Sequence, residues 1–168
     1  MVSNKYSNRK LVIHPFGPFA APDSEILILG SFPSVKSREQ MFYYGHPMNR
    51  FWRILAAIYQ TNTPQTIDEK KSFCLEHHIA LYDVIHSCEI KGSSDASIKN
   101  AIPSDILNLI HETHIKIILI NGKKASDLFF RYQTIDKDIK VFSLPSTSPA
   151  NAAISFESLA EVWGKAIR

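Results

Sequence analysis

The sequence predicts an α/β fold, a three-layer α/β/α arrangement with a central four-stranded parallel sheet, carried by a single domain over residues 1–168. Two observations lead there. Apolar runs recur along the chain: EILIL (25–29), IALYDVI (79–85), KIILI (116–120) and KVFSL (140–144). Segments of helical pattern lie between them. Strand–helix alternation with nearly continuous apolar strands is the pattern of a parallel sheet covered on both faces. The length of 168 residues, with 45% hydrophobic and 21% charged residues, suits one domain with its own core.

The first strand, over 25–29, should be followed at once by a packing helix. Instead the stretch GSFPSVKSREQMFYYGHPMNRFW (30–52) spends about twenty residues on Gly, Pro, Ser and aromatics. A helix is predicted only over 49–59, then a more polar one over 67–77. The second strand occupies 79–85. Pro103 and Ser104 open a helix through 113, and the third strand, over 116–120, carries the strongest apolar signal. A helix over 123–132, a strand over 140–144 and a terminal helix over 155–167 complete the pattern.

In open parallel sheets ligands bind beyond the carboxyl ends of the strands. Four segments follow those ends: GSFPS (30–34), HSCEIKGSSD (86–95), NGKKAS (121–126) and PSTSPAN (145–151). They are rich in Gly, Pro, Ser, Asn and Lys and are expected to converge at one end of the sheet.

Several chemistries are excluded. GSFPS does not match the G-x-S-x-G nucleophile elbow. NGKKAS lacks the full phosphate loop of nucleotide hydrolases, although Lys123 and Lys124 at a helix start suit phosphate, or simply a solvated helix end. HETH (111–114) is one residue short of a zinc motif, and no other His, Cys or carboxylate group has ligand spacing, so neither metal nor cofactor is expected. The two cysteines, Cys74 and Cys88, make no disulfide framework and fit a reduced, cytoplasmic setting. No apolar run is long enough to span a bilayer, and the first residues lack the apolar stretch of a leader. A net charge of +3 permits a nucleic-acid partner without requiring one. The loop LPSTSPAN (144–151) sets Ser146, Thr147 and Ser148 between prolines, which suits phosphate contact as well as a plain connector.

Taken together, GSFPS, YYGHPMNRFW, ILINGKKA and LPSTSPAN resemble the uracil-DNA glycosylase superfamily, most closely its hypoxanthine-DNA (deoxyinosine) glycosylase branch. HPMNRFW is also similar to the mismatch-specific uracil/thymine glycosylases. The resemblance runs from about residue 11 to the C-terminus. It implies a monomeric enzyme that hydrolyses the N-glycosidic bond of a deaminated base flipped out of DNA, with no membrane partner and no cofactor. Such a site needs an aromatic to stack the base, worth about 1–3 kcal/mol, and polar groups to read its edge. Phe42, Tyr43 and Tyr44 are the stacking candidates, and Phe42 matches the stacking aromatic of the mismatch enzymes by position. Ser31, Phe32 and His46 join them as base-binding candidates. Ser34, Lys123, Lys124, Ser146, Thr147 and Ser148 are expected at DNA. In the better-known branches the third residue of the first motif is Asp or Asn and handles water. Here it is Phe32, and the resemblance moves that role to Asn49, whose amide is expected to accept a hydrogen bond from the water and place it, and which also suits a helix N-cap. No lysine is placed for a Schiff base, so lyase activity is not expected. Three alternatives stand beside this reading: a uracil or mismatch-specific glycosylase, a non-catalytic nucleic-acid-binding module of the same fold, and a small-ester hydrolase using Ser31 or Ser34 with His46.

Overall fold

The computed structural model describes residues 8–168. The first seven, on which the expectation of no leader partly rests, lie outside the described residues. Four parallel strands form the central sheet in the order β3 (Ile79–Asp83), β2 (Ile26–Gly30), β6 (Ile117–Asn121) and β7 (Lys140–Leu144). Leu27, Ile28, Leu29, Leu81 and residues 118–120 are fully buried, as continuous apolar strands between helical layers should be. The register aligns Gly30 with Asp83 and Asn121 with Leu144, so the carboxyl ends of the strands stand nearly level.

The helices are α1 (Val35–Gln40), α2 (Phe51–Tyr59), α3 (Ile67–Glu76), α4 (Ile106–His111), α5 (Lys123–Tyr132) and α6 (Phe156–Ile167). Helix α3 packs on β3, α5 on β6 and β7, and α6 on β7 and against α2. The chain leaves β2 in one direction and later crosses to β6 in the other. The gap between β2 and β6 is therefore the switch point, where such sheets take their ligands.

The predicted second strand, 79–85, is split. It ends at Asp83, and after Val84 the chain enters a second, antiparallel sheet of β1 (Lys10–Ile13), β4 (Ile85–Ile90) and β5 (Lys99–Pro103), in the order β1-β4-β5. Residues 86–90, read from sequence as rim loop, are thus strand. The helix predicted from Pro103 begins at Ile106, because Pro103 ends β5 and Asp105 caps the helix by accepting from Asn108 N. The sequence IHSCEI mixes polar and apolar residues too evenly to announce itself, and its partner β1 lies far away in the chain. Inside the unassigned stretch after β2, Ser34 caps the short helix α1 through Ser37 N, and Met41, at φ 61°, ends it.

Candidate active site

A cavity of about 390 Å³ opens at the switch point, of a size that takes a small ligand. All four rim segments reach it. Ser31, Phe32, Ser34, Tyr44, His46, Asn49, Ser146, Thr147 and Ser148, each singled out from sequence, line its wall. Lys123 instead borders a neighbouring depression with Gly122 and Ser126. Lys124 is close enough to Asp95, on the cavity wall, to favour its ionised form.

Phe42 is not in the cavity. It is 4% exposed, stacks on Trp52 with ring centroids 6.2 Å apart and meets Phe19 and Tyr43 edge-on. The left-handed turn at Met41 directs it under α2, so the expected stacking ring is core. Phe32, Tyr43 and Tyr44 are at the cavity, Tyr43 almost wholly buried with its hydroxyl given to Gly17 O. Tyr44 is itself braced face to face on Phe51 at 3.8 Å.

Asn49 is held by a chain of polar groups that joins three rim segments. Its Oδ1 accepts from Phe51 N (2.9 Å) and from Thr147 Oγ1 (2.8 Å). Thr147, fully buried, in turn accepts from Asn121 Nδ2 and donates its N–H to Asn121 Oδ1, both at 3.0 Å. Arg50 adds a strap: its N–H donates to Thr147 O, and its guanidinium donates to Ile154 O (2.7 Å) and Asn151 O (2.9 Å). Because Phe51 N can only donate, the orientation of the Asn49 amide is settled. Both lone pairs of Oδ1 are in use. Asn49 therefore ties down the first N–H of α2 from the residue before the N-cap Arg50, but the group it offers to the cavity is Nδ2, a donor. Accepting a hydrogen bond from water through Oδ1, as expected from the sequence, would require displacing Thr147.

Two carboxylates escaped the sequence reading. Asp83, 3% exposed, stands at the end of β3, and its Oδ2 lies 2.8 Å from His14 Nε2. His14 Nδ1 accepts from Gly17 N, which can only donate, so Nε2 carries the proton and donates to Asp83. Gly30 makes room for this carboxylate: a Cβ there would stand 2.6 Å from Asp83 Oδ1 and 3.2 Å from the Tyr44 hydroxyl. That hydroxyl is buried and makes no well-formed hydrogen bond among the described residues; burial, with Asp83 close by and opposed by a polar contact with Asn121, holds its pKa well above the ordinary tyrosine value. Asp95, on an exposed rim turn, accepts from Ser31 Oγ at 2.8 Å. Desolvation raises its carboxyl pKa, opposed by the Ser31 hydroxyl and by Lys124. The polar residues that close the apolar runs IALYD and IILIN were the signal for Asp83 and Asn121; nothing in the sequence pointed to His14.

The serine-hydrolase arrangement does not form among the described residues. Ser31 donates to Asp95, Ser34 is a helix cap, and His46 Nδ1 accepts from Met48 N at 3.1 Å. No group of residues with metal-ligand geometry occurs among the described residues.

A doubly wound sheet with a polar cavity at its switch point, walled by rigid Pro- and Ser-rich loops, defines an α/β protein built to take a small flat ligand from one end. The chain belongs to the uracil DNA glycosylase superfamily, whose family model matches residues 16–166. It is 36% identical to a hypoxanthine DNA glycosylase of Methanosarcina acetivorans over 79% of this chain and 84% of that protein. It is 31% identical to a hypoxanthine DNA glycosylase of Methanosarcina barkeri over 91% of this chain and 96% of that protein. The solution NMR structure of a protein provisionally assigned as a uracil DNA glycosylase from Methanosarcina acetivorans superposes with a TM-score of 0.75 at 30% identity, covering 91% of this chain and 94% of that one.

Proposed function

We propose that this protein is a monofunctional DNA glycosylase that removes hypoxanthine from DNA and leaves an abasic site. The observation that carries the reading is the joining of Asn49, Thr147 and Asn121 around one cavity, in a chain similar over most of its length to two hypoxanthine DNA glycosylases. A base turned out of the duplex enters between the rim loops, against Phe32 and Tyr44. Ser34, Ser146 and Ser148, on the cavity wall, take the backbone phosphates in this reading, with Lys123 and Lys124 supplying positive charge.

In the reaction the C1′–N9 bond breaks and its electron pair goes to the base, leaving an oxocarbenium-like sugar. Water adds to C1′ and loses a proton to solvent. A purine can take up a proton at N7, so it need not depart as an anion. The sugar cation is reactive enough that placing the water matters more than activating it. Asn49 does this through Nδ2, donating to the water oxygen and leaving its second lone pair for attack. The enzyme acts as a monomer in the reduced cytoplasm, where its buried thiols Cys74 and Cys88 stay free. No described helix is long and apolar enough to cross a membrane.

The test is incubation with duplexes carrying inosine, uracil or xanthine at one position. Free hypoxanthine and alkali-sensitive strands are expected from the inosine duplex. Binding to that duplex with no base released would return the protein to a nucleic-acid module.

A further inference from the structure

We infer that Asp95 is the acid that protonates the leaving purine at N7 as the C1′–N9 bond breaks. The inference rests on the glycosylase reading above and names the source of the proton. A neutral purine leaves more readily than its anion, and proton transfer from a positioned side chain contributes about 10²–10⁴-fold. Besides Asp95, the titratable side chains on the cavity wall among the described residues are Tyr43, Tyr44, His46 and Asp83. Burial raises the pKa of both tyrosines, so they hold their protons too tightly to give them up at neutral pH. His46 Nδ1 is taken by the Met48 N–H. Asp83 Oδ2 accepts from His14 and serves as an acceptor. Asp95 differs from all four. It stands on the exposed rim turn after β4, yet its carboxyl is drawn in onto Ser31, whose Oγ donates to Oδ1 at 2.8 Å. Oδ2 accepts no hydrogen bond among the described residues and is the oxygen left to carry a proton. Ser31 adjoins Phe32, against which the base lies in this reading. The turn is fastened to the same wall: Arg38 donates to Pro33 O and Gly92 O, and Ser93 Oγ accepts from Val35 N.

The groups facing Asp95 come from several elements. Desolvation raises its pKa, the Ser31 hydroxyl after β2 and Lys124 of α5 lower it, and Asp83 at the end of β3 raises it. Cys88 of β4 stays an uncharged thiol at neutral pH, and Arg38 of α1 is engaged by backbone carbonyls. Bound DNA moves the balance toward the acid, because its phosphates bring negative charge and its bulk covers the turn, and both disfavour a carboxylate. An ionised carboxylate at the mouth would otherwise repel the strand it has to admit. In the step, the Oδ2–H bond breaks as N7–H forms. The electron pair of C1′–N9 passes into the ring, and hypoxanthine leaves neutral. Asp95 is left ionised in the same cavity as the cationic sugar, whose charge it offsets. Water adds to C1′ and gives its proton to solvent, and solvent returns one to Asp95.

The experiment measures single-turnover excision of hypoxanthine at saturating protein, from about pH 5 to about pH 9. The wild-type rate is expected to fall by about tenfold per pH unit once Asp95 ionises in the complex. Asp95→Asn should lower the rate by about 10²-fold or more at the acidic end and lose that fall. It should bind a 2′-fluorinated inosine duplex, in which excision is blocked, at least as tightly as wild type, since a negative charge has left the mouth. Asp95→Glu keeps an acid and should recover part of the rate together with the fall. A wild-type rate independent of pH over this range would overturn the inference, whether or not either variant folds. So would a folded Asp95→Asn protein that excised at the wild-type rate or kept the fall. Wild type that bound the inosine duplex and released no base at any pH would overturn the glycosylase reading and this inference together, whereas a failure confined to the pH profile leaves the glycosylase reading standing.

Discussion

Asn49 Oδ1 takes a hydrogen bond from its own helix and another from a loop 98 residues away, so one amide serves two structural ends before it serves chemistry. Removing it should expose both roles. Asn49→Ala is expected to lower single-turnover excision of hypoxanthine by about 10²-fold or more, the usual loss for one positioned polar group, with inosine-duplex affinity retained. It should also cost about 1 kcal/mol through the lost hold on the first N–H of α2. Wild-type excision by a folded variant would remove Asn49 from the mechanism. Thr147→Val separates the roles further, because it deletes the hydroxyl that holds Asn49 and leaves Asn121 Nδ2 without its acceptor. A loss of about 1–3 kcal/mol in chemical denaturation is expected, together with slower excision. If excision were unchanged, the loop contact would be structural only. Ser31 and Thr147 were legible from sequence because small polar residues between prolines and glycines serve few purposes in a strand-end loop, and Asn49 was legible only through the family resemblance of HPMNRFW. Their bonding was not, and it turned the expected acceptor of Asn49 into a donor.

At the scale of elements, the junction of β6 with α5 shows how little room the site leaves. Gly122 has φ 96°, and a Cβ there would lie 3.1 Å from Ser146 Cβ. Gly122→Ala should therefore destabilise by more than about 1 kcal/mol and move Ser146, measured as a lower melting temperature and weaker DNA binding. Lys123, next in the chain, is exposed and beside the site rather than in it. Lys123→Ala is expected to leave stability and base preference alone, to weaken binding to all duplexes alike, and to reduce the slope of log affinity against log salt by about one. An unchanged slope would make Lys123 an ordinary helix start. The break of the predicted second strand at Val84 belongs to this scale as well. The antiparallel pairing of β1 with β4 sets His14 beside Asp83 across 69 residues, with His14 N donating to His86 O at 2.7 Å. No local pattern could have announced that pairing.

Across the whole molecule, the core sets the response to alkali. Burial pushes the Cys74 thiol up to about 12 and the Cys88 thiol up to about 11, well above the ordinary thiol value. In the unfolded chain both ionise near their ordinary values, so above about pH 9 the unfolded state holds fewer protons than the native one. Stability should therefore be unaffected by these groups at neutral pH and fall as the pH rises from about 9 toward 11 and 12. Replacing both thiols by alanine should flatten that decline in denaturant titrations at pH 8 and pH 10.5. An equally steep decline would assign it to other groups. The native thiols are also expected to resist a thiol reagent at pH 8 until the protein unfolds, since the thiolate is the reactive form.

The sequence by itself determined the parallel sheet, the existence of every helix but α1 and most of the four rim segments, because long apolar runs and Gly/Pro punctuation are local properties of the chain. It also gave away the family, since the loops carrying the likeness are contiguous stretches such as GSFPS and HPMNRFW. Tertiary structure alone decided which of those residues meet. Phe42 and Tyr44 are two positions apart in an aromatic run, yet one packs beneath α2 and the other stands at the cavity, because Met41 turns the chain between α1 and α2. Asp83 looked like the polar interior of a strand and became the floor of the site, because the chain changes sheets one residue later. Hydrogen bonds between residues tens of positions apart leave no periodic trace in a sequence; they exist only once the sheet register has brought the strand ends level.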